Sequence, residues 1–108
     1  MSTVIRWAAM FAFTEIVEVP IYRRFFGSGF LEAFGASALT HPLLYFVFVP
    51  LMRHHFTYVQ YALIGETLVV LVEAAYFHML FRRRRALAGS LIANGASYAL
   101  SLVAWLLF

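Results

Sequence analysis

Four apolar runs dominate this 108-residue chain, each about 20 residues long and set apart by short polar breaks. They cover about 4–22, 30–52, 56–81 and 86–108. A hydrocarbon core ~30 Å thick takes about 20 helical residues to cross, so each run has the length of a membrane-spanning helix. β-barrel strands would be about half as long and would alternate in polarity, which these runs do not. Breaks this short force neighbouring helices to run antiparallel. The pattern predicts an all-α, integral membrane four-helix up-down bundle, a single transmembrane domain over 1–108.

Composition supports the same reading. Apolar residues make up 64% of the chain and charged residues 12%. A soluble domain of this size keeps much of its area exposed and could not hide so much apolar surface. In a bilayer the surrounding solvent is itself apolar. There is no cysteine, which excludes disulfides, thiolate metal sites and cysteine nucleophiles. Every fixed positive charge is an arginine and every acid a glutamate. The arginines stand at the ends of the apolar runs, where they serve topology better than nucleic-acid binding. The first run contains Glu15, Glu18 and Pro20 and lacks a convincing small-x-small cleavage site, so it reads as a retained span rather than a signal peptide.

Orientation follows from counting arginines. The first and third breaks share one side and hold Arg23, Arg24 and Arg82 to Arg85, against Arg6 and Arg53 on the other. The positive-inside rule puts the six in the cytoplasm and both termini on the non-cytoplasmic side, in a bacterial inner membrane. Trp7, Tyr58 and Trp105 then fall near the outer interface as aromatic anchors. Arg82, Arg83, Arg84 and Arg85 either anchor the topology or bind anionic lipid headgroups.

All five carboxylates lie inside the apolar runs: Glu15, Glu18, Glu32, Glu66 and Glu73. An acid at mid-bilayer costs a few kcal/mol, so such residues usually face the bundle interior and serve a purpose there. Glu32 lies near a run end and can snorkel or pair with Arg23 or Arg24. Glu15 and Glu18 share a helix face, as do Glu66 and Glu73 two turns apart. Ser37, Thr40 and His41 share a face in the second run, where Pro42 frees the carbonyl of Ala38. His41 could be a neutral imidazole bonded to such a carbonyl. In the fourth run Ser90, Asn94, Ser97 and Ser101 form a stripe at spacings of 4, 3 and 4. Small and hydroxylated residues of this kind favour close helix packing.

Counting residues from the cytoplasmic ends puts Glu15, Glu73 and Asn94 at one depth, about 12 Å in, with His41 about one turn further. Glu18 falls closer to that end, and Glu66 toward the outer side. Four helices thus contribute to one polar layer, as in bundle-core sites for protons, ions and metals. The ligand- or proton-binding candidates are Glu15, Glu18, His41, Glu66, Glu73 and Asn94. A divalent metal held by Glu15, Glu73 and His41 is chemically reasonable, although no Glu-x-x-His or His-Glu-x-x-His spacing occurs. Three functions fit these residues. One is an ion- or proton-coupled carrier or small-ligand binder; the second is an accessory subunit of a larger membrane complex; the third is an intramembrane metal-dependent enzyme. Beyond the lipid bilayer, the expected partner is a second copy or a larger membrane complex, and nucleic acid is not expected.

Overall fold

The computed structural model describes the backbone of residues 3–107 and the side chains of 4–104, Leu106 and Leu107. Within that range the chain is helical between short turns and contains no strand. Helix α1 covers Thr3–Phe26, α2 Phe30–Met52 and α3 Tyr58–Leu80, and α4 Ala86–Leu107. α1 packs on α2 and α4, and α3 packs on the same two. Viewed down the bundle, α1 and α3 therefore share one diagonal, and α2 and α4 share the other.

α2, α3 and α4 each contain a stretch long and apolar enough to cross a membrane. α1 has the length but carries Arg6, Glu15, Glu18, Arg23 and Arg24. The bundle's longest dimension, 37 Å, also suits a bilayer. Polarity is inverted relative to a soluble bundle. Glu18 and Glu73 are each 1% exposed, whereas Ile16 is 72% and Leu31 81% exposed. Such an arrangement is stable where the outer solvent is lipid.

Helix boundaries follow local chemistry. α1 runs past its expected end at Tyr22 to Phe26, with Arg23 and Arg24 in its last turn, where cations suit the helix dipole. Gly27 then turns the chain at φ +66°, a conformation favouring glycine. α3 starts at Tyr58 rather than Phe56 because Thr57 caps it. The Thr57 hydroxyl accepts from the Gln60 amide at 3.3 Å, and the Gln60 side chain accepts from the Thr57 amide at 3.1 Å. The second break, Arg53 to His55, is an exposed turn.

Two wide turns interrupt the regular winding: Leu44–Phe48 in α2 and Tyr76–Leu80 in α3. The first follows Pro42, whose ring removes a backbone donor. α3 approaches it closely at Gly65, where a Cβ would come within 2.9 Å of Leu44 and 3.0 Å of Phe48. The second widens the end of α3. Arg82 then takes a left-handed conformation, φ 53°, and the Arg83 amide bonds back to the Phe77 carbonyl at 3.0 Å.

The arginine-rich end is closed. The Arg83 guanidinium grips both oxygens of Glu32 at 2.7 Å and donates to the Phe26 carbonyl at 3.3 Å. That contact ties the third break to the first and confirms that they share an end. Glu32 therefore pairs with Arg83 and not with Arg23 or Arg24. Tertiary folding brings the third break over the start of α2, which sequence proximity could not indicate. The bidentate carboxylate raises the Arg83 pKa above its ordinary value. Beneath this lid Tyr22, Phe26 and Phe77 pack ring to ring, with centroids 4.4–6.0 Å apart.

Candidate functional site

Two acids on diagonally opposite helices occupy the bundle core, and each is held by both helices of the other diagonal. Glu18 of α1 accepts from Ser37 of α2 at 2.8 Å on one oxygen, and from Ser97 of α4 at 2.7 Å on the other. Glu73 of α3 accepts from Thr40 of α2 at 2.6 Å on one oxygen. Its other oxygen accepts from Asn94 of α4 at 3.0 Å and from Tyr22 of α1 at 2.5 Å. The second Asn94 hydrogen goes to the Ser90 carbonyl at 2.9 Å, and the Ser90 hydroxyl donates to the Val70 carbonyl at 2.8 Å. All of these side chains are buried. Their spacing explains the convergence: Ser37 and Thr40 are three apart, as are Asn94 and Ser97, so one face of each helix serves both acids.

The hydroxyl partners have a second option within their own helices. Thr40 Oγ1 lies 3.3 Å from the Ala36 carbonyl, and Ser97 Oγ lies 3.2 Å from the Asn94 carbonyl. A hydroxyl is both donor and acceptor, and its hydrogen rotates to suit. If Glu73 or Glu18 takes a proton, Thr40 or Ser97 can turn its hydrogen to the backbone and accept from the acid instead. The network thus accommodates both protonation states without moving a heavy atom.

Above this floor, away from the arginine-rich end, a cavity of about 540 Å³ opens between the four helices. Its floor includes Glu18, Thr40, Glu73, Asn94 and Ser97, and its upper walls carry Tyr45, Tyr58, Tyr61 and Tyr98. Glu66 lines it too. A shallower, mostly apolar groove of about 350 Å³ lies between α3 and α4 and shares Glu66, Asn94 and Tyr98 with the cavity.

The sequence candidates separate on this geometry. Glu73 and Asn94 meet as expected. The α1 acid that joins their network is Glu18, not Glu15. Glu15 is buried, does not line the cavity, and neither of its oxygens has a hydrogen-bond partner among the described residues. Reckoning depth along straight, independent helices could not capture how α1 is rotated and shifted against its neighbours. His41 lines the cavity but sits among aromatic rings, 5.7 Å from Phe11 and 6.4 Å from Trp7 between centroids. Its buried Nδ1 has no partner among the described residues, so it does not use the carbonyl of Ala38 freed by Pro42. Trp7 stacks on Phe11 and packs against Phe46, and its buried indole nitrogen has no acceptor among the described residues. It is thus packed into the α1–α2 seam. Tyr58 is exposed, as an anchor would be, and the Trp105 side chain lies outside the described residues.

The serine stripe divides as well. Ser90 and Ser97 bond within the core, while Ser101 is exposed and bonds to the Tyr98 carbonyl of its own helix. Close packing is present beside it at Gly89, where a Cβ would strike the Phe26 ring. Among the described residues no group of three or more His, Cys, Asp or Glu stands where it could hold a metal ion. Glu15, Glu73 and His41 accordingly do not form a ligand set. Of the four arginines in the third break, Arg83 holds Glu32, and Arg82, Arg84 and Arg85 are exposed, Arg85 lying 5.1 Å over the Phe25 ring.

Tyr22 is a residue of this buried network that sequence reading missed. Its position near Arg23 suggested a helix end. Yet Glu15, Glu18 and Tyr22 are spaced by 3 and 4, which is itself a one-face signal. No family model matches the chain, and no curated protein or solved structure matches it either.

Proposed function

We propose that this chain is a small polytopic membrane protein that binds protons, or a small ligand exchanged against them, at the Glu18–Glu73 core, as an ion- or proton-coupled carrier or binder. The observation that carries this reading is the hydroxyl pair Thr40 and Ser97. Each sits between an acid and a backbone carbonyl and can stabilise either protonation state of the acid. Thr67 and Ser101 make the same backbone bonds, as helical serines and threonines commonly do; Thr40 and Ser97 differ in having a buried acid on their other side. The cavity above provides access from the end opposite the arginines, and its size lies in the range of small-molecule sites, about 300–1,000 Å³. In this reading α1 is the fourth span, the arginine-rich end is cytoplasmic and both termini lie outside, in a bacterial inner membrane.

The test has two parts. Infrared difference spectra across neutral pH should show a reversible protonated-carboxyl band that is lost in Glu18→Gln and Glu73→Gln. In proteoliposomes under an imposed potential, both variants should lose proton-coupled flux while remaining monodisperse. Normal flux in two folded variants ends this reading. For orientation, the cysteine-free chain accepts single reporters: a membrane-impermeant maleimide applied to cells should label His54→Cys and spare Gly29→Cys.

A second reading is favoured by one fact: all four oxygens of Glu18 and Glu73 are satisfied within the chain. That suits an accessory subunit whose polar core is interhelical glue. It predicts one stable partner after mild solubilisation, with the glutamine variants failing only to assemble.

A further inference from the structure

We infer that the groove between α3 and α4 is a lateral portal through which a membrane-dissolved amphiphilic amine enters, its tail along the groove and its ammonium on Glu66. The inference rests on the reading of the core as a carboxylate site and names the ligand class that such a site would take. Three observations carry it.

The first is the state of Glu66. Glu18 and Glu73 have every oxygen bonded within the chain and Glu32 is held by Arg83, whereas Glu66 makes no hydrogen bond to any described residue. It is half-buried, and Tyr98 and Asn94 stand beside it where cavity and groove meet. An acid left unpartnered at such a junction has its hydrogen-bonding capacity open to an incoming group.

The second is charge. Three carboxyl groups line the cavity, and no arginine lines either the cavity or the groove. That favours a cationic head and disfavours a carboxylate or phosphate.

The third is shape and composition. The groove outside Glu66 is walled by Leu63, Val70, Leu71, Leu87 and Leu91. Gly95 lines it too, and a Cβ there would meet nothing within 4 Å, so the groove is open at that point. An apolar channel on the lipid-facing side that ends at an unpaired acid fits a molecule with one apolar tail and one amino head. A fully polar cation would instead enter through the tyrosine-lined mouth.

The experiment uses the full chain in nanodiscs and three photoprobes carrying a diazirine on the same long alkyl tail: a primary amine, an alcohol and a carboxylic acid. Adducts are mapped by mass spectrometry. The amine should label groove residues such as Leu87 and Leu91 about tenfold more than the alcohol, the factor that one charge-assisted hydrogen bond supports. Glu66→Gln should remove that excess, and Gly95→Leu should reduce it by filling the groove while leaving every polar contact in place. Equal labelling by amine and alcohol would mean a lipid-facing surface only and overturns the proposal. So does amine labelling that survives Glu66→Gln but is lost in Glu73→Gln, which would place the head in the core. The infrared band of Glu18 and Glu73, recorded on the Glu66→Gln sample, separates this inference from the proposed function. A retained band with lost labelling supports the portal. A wild-type protein with amine-selective, Glu66-dependent labelling but no protonatable core band keeps the portal and sinks the coupled-carrier reading.

Discussion

The half of the bundle beside the arginine-rich breaks and the half away from them are built on opposite rules. Near the arginines, Tyr22, Phe26 and Phe77 fill the space, Arg83 closes the end on Glu32, and Glu18 and Glu73 are satisfied on every oxygen. Away from them lies a 540 Å³ cavity, and in that half Trp7, Glu15 and His41 keep buried polar atoms without partners among the described residues. A buried polar group contributes when bonded and costs about 1–3 kcal/mol when it is not. One half therefore holds the fold together, and the other carries unsatisfied chemistry at the expense of stability. The Glu18–Glu73 core lies where the two halves meet, bonded within the bundle and forming the floor of the cavity.

The comparison is best broken where it predicts the largest effect. Glu73→Leu removes the acceptor shared by Tyr22, Thr40 and Asn94 and should destabilise the protein by about 2–4 kcal/mol. Thermal unfolding in mild detergent measures this, and a neutral result would mean that the closed half is not where stability resides. The open half predicts the opposite sign. Glu15→Leu replaces an unpartnered buried acid with an apolar side chain and should stabilise by about 2 kcal/mol. A fall in melting temperature would overturn the reading of Glu15 as an unsatisfied, destabilising acid.

Smaller changes sharpen the same contrast. Tyr22→Phe keeps the ring that packs on Phe77 and deletes one hydroxyl, for a loss of about 1 kcal/mol. A much larger loss would make Tyr22 the keystone of the network rather than one of three donors to Glu73. Arg83→Ala should have the smallest effect on stability, fading further with added salt, because the Arg83–Glu32 pair is partly exposed. Unfolding curves at low and high ionic strength test this, and a salt-independent loss would mark the pair as a buried clamp.

Much of the architecture was legible in the amino-acid order. Run length set four helices, and the short breaks set their antiparallel order, because helix rise and bilayer thickness are fixed quantities. The burial of the glutamates was legible as well: an acid inside an apolar run is costly enough to be turned inward, and Glu15, Glu18 and Glu73 are buried. Local signals were there to be read too, including Thr57 with Gln60 as a capping box and the 3, 4 spacing that brings Tyr22 onto the face of Glu15 and Glu18.

What the sequence alone left open was which acids meet. Glu15 and Glu18 are one turn apart on the same helix, and periodicity treats them alike. Rotation and axial shift of α1 against α2 and α4 give Glu18 two serine partners and Glu15 none among the described residues. Glu32 finds Arg83 rather than Arg23 or Arg24 because the left-handed turn at Arg82 brings the third break back over α2. These are properties of relative helix placement, set by side-chain packing such as the approach of α3 at Gly65. Length and hydropathy determine that helices form and stack across the membrane; only the packed interfaces decide which polar groups are paired and which are left facing an opening.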